Sequence, residues 1–278
     1  MTEKKAGLKN KFAIVRPAII ITTFSSRSVK FAKQQRLNAM FAGLYVIQAL
    51  ALLVLGKSAA APLHIAYLAN DPLQSAAQHH TVLVLAQHRL FDVSLLGLLV
   101  TLLFASAVFH ALLATALRAR YERSLASGLN DLRWTGFAVL GSVLTLVVSL
   151  VLGIADVAVL VSVIALCILI CFGAMAIEAN KRFWPWSVFS GVAMVAAVAA
   201  LGAYLVGGVV YGSVLPAWTY AAVVAPTVAG LAMITNLRLQ IRAKGRWQDY
   251  LFADAIYLFV GFVACSAVVW GIFAGVLA

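Results

Sequence analysis

The sequence predicts an all-α integral membrane protein, a seven-helix bundle with a small β-hairpin in its first outer loop. Three observations predict it. The 278 residues are 64% hydrophobic and only 11% charged, far more apolar than a soluble domain that must cover itself with polar surface. Apolar runs long enough to cross about 30 Å of hydrocarbon occur seven times, at Leu37 to Leu55, Leu90 to Leu117, Trp134 to Leu152, Val157 to Ile177, Val188 to Tyr211, Ala217 to Thr235 and Ala255 to Leu277. The basic residues also alternate in side when those seven spans are drawn.

The alternation is steep. Of the 21 Lys and Arg, nineteen fall in the amino-terminal tail and in the second-to-third, fourth-to-fifth and sixth-to-seventh connections, leaving only Lys57 and Arg89 on the other side. By the positive-inside rule the amino terminus is expected in the cytoplasm of a multi-pass cell-membrane protein and the carboxyl terminus outside. The net charge of +12 is then accounted for by topology and by anionic headgroups, and nucleic acid is not an expected partner. Residues 1–36 read as a basic cytoplasmic tail with no cleavable signal, lying on the inner leaflet or disordered, and 37–278 as the seven-helix domain.

Within the domain, the connection from Gly56 to Arg89 holds two short runs, HIAYLA and TVLVLA, around the turn-rich NDPLQSAAQHH, the pattern of a hairpin. His64, His79, His80 and His88 cluster there, but their spacing matches no metal-ligand pattern, and no metal is expected. Small residues from Gly191 to Gly202 suit close helix approach, and Pro226 should kink the sixth span. Cys167, Cys171 and Cys265 lie inside spans and give no disulfide framework.

Ionisable groups inside apolar spans are costly and are the first candidates for function. His110, in SAVFH of the second span, qualifies, either as a proton-handling group or as a core histidine with a partner. Asp92 is expected to pair with Arg89 three residues earlier on the same helix. Asp156 is expected to cap the fourth helix, and Glu178 and Asp254 read as interface residues at the ends of spans. Without nucleotide loops, zinc motifs or nucleophile elbows, an enzyme is not expected. A relay for ion or proton transport would need more midplane charge than this.

Several short motifs in order, Gln48 in the first span, SAVFH at 106–110, DLRW at 131–134, GIAD at 153–156, KGRWQDY at 244–250 and SAVVWGIFAG at 266–275, resemble the heliorhodopsin family, seven-helix retinal proteins of inverted topology. The resemblance covers roughly Arg36 to the end. It implies a lysine just before the serine of the seventh span, carrying retinal as a Schiff base, and a glutamate counterion two residues after the Arg-Trp pair of the third. Here those positions hold Cys265 and Gly136. The stretch Tyr257 to Ala278 contains no charge at all, so no neighbouring amine substitutes.

The resemblance therefore implies a scaffold without covalent retinal, its vestigial pocket marked by His110, Ser266, Trp270 and Gln48. The expected role is a non-photoactive regulatory, signalling or scaffold protein with a cytoplasmic protein partner at its basic face, and the family implies a homodimer. The alternative is a non-covalent binder or receptor for an apolar small molecule, such as retinal, another isoprenoid or a lipid. Transport is the reading least supported.

Overall fold

The computed structural model describes the backbone of residues 17–212 and 214–278, and side chains from residue 31 onward except 213. Among the described residues, nine α-helices and two strands follow in the order α1 (Pro17–Leu55), β1 (Ala60–Asn70), α2 (Pro72–Gln78), β2 (Leu83–Ser94), α3 (Leu95–Ala114), α4 (Arg118–Ser127), α5 (Asp131–Val151), α6 (Val157–Asn180), α7 (Trp186–Tyr211), α8 (Ala217–Arg242) and α9 (Tyr250–Ile272), with a 3-10 turn at Gly245–Gln248 and a final wide turn at Phe273–Leu277. Seven of these helices are long and apolar enough to span a bilayer. The first sixteen residues of the expected tail lie outside the described residues; from Pro17 the backbone is already helical and runs unbroken into the first span.

The bundle closes along one stripe of α1. Gln34, Asn38, Phe41, Tyr45, Ala49 and Leu52 recur at helical spacing and are all buried, polar toward the end that carries α4 and apolar toward the hairpin. Against the apolar part pack Leu99, Leu102 and Leu103 of α3, Val147 and Val148 of α5, and Val268, Val269 and Ile272 of α9. Opposite faces of the helices keep large apolar side chains outward, such as Val54, Val195 and Val228. That arrangement suits a solvent of lipid, where burial inside and exposure outside are both apolar.

The connection from α1 to α3 is a two-stranded antiparallel hairpin as expected, with α2 at its tip. β2 extends further than the sequence suggested and ends at Ser94, which accepts a hydrogen bond from Gly97 N and starts α3. Leu90 and Asp92, expected at the start of the second span, are therefore strand residues. The Arg89–Asp92 ion pair does form, but across a bulge rather than along a helix turn: Leu63 pairs with Phe91 and His64 with Arg89, leaving Leu90 as the extra residue. The extra residue brings positions 89 and 92 to one side, which regular alternation would forbid.

Asp156 caps α6 as its position predicted, one carboxylate oxygen accepting from Ala158 and Val159 N. The other oxygen accepts from Ala66 N of β1 at 2.9 Å, so one side chain starts a helix and pins the hairpin to the bundle. At the opposite end a short helix absent from the sequence reading, α4, follows α3. It stops at Gly128, whose φ of 70° is costly for a residue with a side chain.

Candidate functional site

The bundle interior holds a cavity of about 250 Å³ between α3, α5, α6, α7, α8 and α9, with Tyr45 of α1 at one corner. Its wall is almost wholly apolar: Leu102, Phe109, Phe137, Leu144, Val163, Leu201, Met233, Phe262 and others, joined by Pro226 of α8. No lysine, arginine, aspartate or glutamate lines it among the described residues. Three thiols do, Cys167, Cys171 and Cys265, and the one imidazole is His110.

The sequence-predicted residues separate here. His110 and Cys265 meet at the cavity, the first 6% and the second 7% exposed, and the Tyr45 hydroxyl lies against the Cys265 thiol. Gln48 and Trp270 do not line the cavity; Trp270 Nε1 donates to Gln48 Oε1 at 3.0 Å, each satisfying the other. Ser266 is half-buried, and its hydroxyl, itself enclosed, has no partner among the described residues. Gly136 faces the ring of Phe109, and a Cβ built on it would lie 2.2 Å from Phe109 Cζ. Real side chains do not pack that closely, so the space beside Gly136 is already filled by an aromatic ring.

A second constellation lies toward the α4 end, and the sequence reading placed its members wrongly. Glu178 and Asp254, expected at the membrane interface, are both 0% exposed, and Arg133, counted there among the loop cations, is 1% exposed. Arg133 bridges the two carboxylates, at 2.7 Å to Glu178 and 2.5 Å to Asp254. Every available oxygen is used. Glu178 also accepts from Trp134 Nε1, Gln240 Nε2, the Tyr250 hydroxyl and Asn130 N. Asp254 accepts from Gln34 Nε2, the Tyr121 hydroxyl and Asn130 Nδ2. The guanidinium is further faced by the rings of Tyr257 at 4.0 Å and Trp134 at 4.9 Å.

Physical reasons favour this assembly. An isolated charge in hydrocarbon is expensive, and a buried ion pair is tolerable only when hydrogen bonds satisfy its remaining lone pairs and protons. One cation and two anions leave a net negative charge, which seven further donors disperse. Local structure supplies the aim. Asn130 caps α5 by accepting from Arg133 N, fixing the first turn on which Arg133 and Trp134 sit, and Asp249 caps α9 by accepting from Leu251 N, one turn before Asp254.

The two sites are joined. His110 Nδ1 lies 2.7 Å from Asn38 Oδ1, Asn38 Nδ2 donates to the Tyr121 hydroxyl at 3.3 Å, and Tyr121 donates to Asp254 at 2.7 Å. Tyr121 belongs to α4 and is fully buried. Burial first, and the neighbouring Asp254 carboxylate second, push its phenol well above the usual range, so it remains a donor. The cavity wall is thus connected by side-chain hydrogen bonds to the short helix outside the bundle.

The sequence carried one signal for the buried triad. An apolar helix continued to Asn180 encloses Glu178, and the one buried Lys or Arg among the described residues is Arg133, the arginine of DLRW. Reading the spans to shorter limits left all three charges in loops.

No curated protein matches the sequence. The model of the heliorhodopsin family matches residues 34–277, a stretch that contains nearly all of the seven spans and the hairpin, and the chain belongs to the heliorhodopsin family.

Proposed function

We propose that this heliorhodopsin works without a covalently attached retinal and that its interior cavity holds an apolar small molecule by contact alone. The observation that supports the reading most directly is the cavity wall, which offers no amine for a Schiff base and no carboxylate to neutralise one, while remaining open and apolar. A thiol cannot form an imine, so Cys265 does not replace the family's lysine. The residues present do not fit covalent retinal. They do fit a hydrophobic ligand, because concave apolar sites with a few convergent polar groups are the usual form of small-molecule pockets.

The cellular role in this proposal is regulatory rather than catalytic or transporting. The basic end, with α4, faces the cytoplasm, and occupancy of the cavity is passed to it along His110, Asn38, Tyr121 and Asp254. A photochemical step is not needed for such a receptor. The second reading, a ligand-free scaffold whose partner binds the basic face, is favoured by the sealed charge cluster, which would hold that face rigid in either state.

The test is to purify the chain from a host supplied with all-trans retinal, extract it with organic solvent, and compare it with Gly230→Trp, which fills the cavity. The proposal expects no retinal adduct on denatured protein and an apolar molecule that copurifies with the parent chain but not with the variant. A covalent adduct, or identical extracts from both proteins, would overturn it.

A further inference from the structure

We infer that the cavity selects a long apolar alcohol, such as an isoprenoid or polyene alcohol, over the corresponding aldehyde, ether or hydrocarbon. The inference rests on the reading that the cavity holds an apolar ligand, and it adds the chemistry of the ligand's one polar end.

The argument is a hydrogen-bond count at the corner formed by His110, Tyr45 and Cys265. Asn38 Nδ2 is fixed as a donor, because it reaches the Gln34 backbone carbonyl at 2.9 Å, and a carbonyl only accepts. Asn38 Oδ1 is therefore the atom 2.7 Å from His110 Nδ1, and an amide oxygen only accepts as well. The proton must sit on Nδ1. A neutral imidazole carries one N–H, which leaves Nε2 as a bare acceptor.

That acceptor has no hydrogen-bond partner among the described residues, although the ring is 94% buried by its 6% exposure and forms part of the cavity wall. The neighbours cannot supply one. Phe41 and Phe109 pack on the ring at centroid distances of 5.8 and 5.6 Å, and Tyr45 stacks on it at 5.6 Å with its planes 19° apart. The Tyr45 hydroxyl rests against the Cys265 thiol, a weak partner.

The corner thus presents one unmet acceptor, Nε2, and one donor held only weakly, the Tyr45 O–H. A hydroxyl group is the complement of that pair, since its proton serves Nε2 while its oxygen accepts from Tyr45. An aldehyde oxygen can accept from Tyr45 but has no proton to give, so Nε2 stays unmet. An ether fails for the same reason, and a hydrocarbon leaves both groups unmet. Sites built around a ligand hydroxyl discriminate strongly against analogues that lack it, because the buried polar groups are left unpaired. The rest of the wall, with Phe137, Phe262 and Met233, suits an extended apolar chain.

The experiment titrates the purified full chain in lipid nanodiscs with all-trans retinol, all-trans retinal and retinyl methyl ether, reading quenching of tryptophan emission, with Trp134 in the cavity wall. Retinol is expected to bind about tenfold or more tightly than the other two, within the range set by one unpaired buried group. His110→Phe should lower retinol affinity to that of the ether and leave the ether unchanged. Tyr45→Phe, which keeps the stacked ring and removes only the donor, should reduce the preference without abolishing it. Equal affinity for all three probes would overturn the alcohol inference while leaving the apolar-ligand reading in place. Binding of none of them at solubility-limited concentrations would overturn both.

Discussion

Replacing Arg133 by methionine tests the buried charge cluster directly. The substitution keeps the length and much of the volume of the side chain but removes the cation that bridges Glu178 and Asp254. Both carboxylates are 0% exposed, so neither can turn to solvent, and each would be left as an uncompensated charge inside the bundle. Breaking a buried pair in this way costs about 3–5 kcal/mol. For a chain of this size each kcal/mol corresponds to roughly 2–4 °C, so the midpoint of thermal unfolding should fall by about 10 °C. A thiol-reactive fluorophore suits the measurement, because Cys171 and Cys265 are buried and gain access to the dye on unfolding, above the signal of the half-buried Cys167. The triple variant with Glu178→Gln and Asp254→Asn should recover most of the loss, since the amides keep part of the hydrogen bonding without charge. A midpoint unchanged within about 2 °C in Arg133→Met, or no recovery in a folded triple variant, would refute the view that paired charge holds this end of the bundle together.

Three other outcomes follow from the same contacts. Tyr121→Phe removes one donor to Asp254 and should cost about 1.5–3 kcal/mol, the range for a hydrogen bond to a charged group, together with increased proteolysis in α4; wild-type stability would deny that α4 is docked through this phenol. Cys265→Lys with Gly136→Glu should not give a coloured pigment with all-trans retinal, because a Cβ at 136 meets Phe109 at 2.2 Å, whereas adding Phe109→Ala should; equal visible absorption in both variants would show that the ring is no obstacle. The Asp156 carboxyl is held below the usual carboxylate range, first by Ala66 N and then by Val159 N. A carboxylate favoured in the folded state stabilises above its ordinary pKa and loses that contribution as pH falls through the lowered folded value. Amide-exchange protection at Ala66 should therefore be constant through neutral and mildly acidic pH and drop only in stronger acid, while Asp156→Ala should show low protection throughout; a drop already near neutrality would contradict the assigned contact.

How much was legible before the fold was known can be judged from particular residues. The seven spans and the hairpin were readable because lipid imposes a length and an apolarity that few other environments demand. Asp156 as a helix cap was readable too, because capping is decided within three residues. Glu178 and Asp254 were misplaced because their partners are distant in sequence, Glu178 lying 45 residues and Asp254 121 residues from Arg133. An acidic residue near a span end has the same local signature whether it meets headgroups or a buried guanidinium. Gln48 and Trp270, separated by 222 residues, form a pair that no local pattern announces.

The sequence by itself determined that the chain carries seven stretches long and apolar enough to cross a membrane, and that Cys265 stands in the last of them and Gly136 in the third. Those are matters of composition, local periodicity and residue identity. Only the tertiary structure decided that Cys265 still borders an open cavity, that Phe109 fills the space beside Gly136, and that His110 is tied through Asn38 and Tyr121 to a sealed charge cluster. Cavities and networks arise from packing between helices, and packing depends on which faces meet rather than on what any one helix contains.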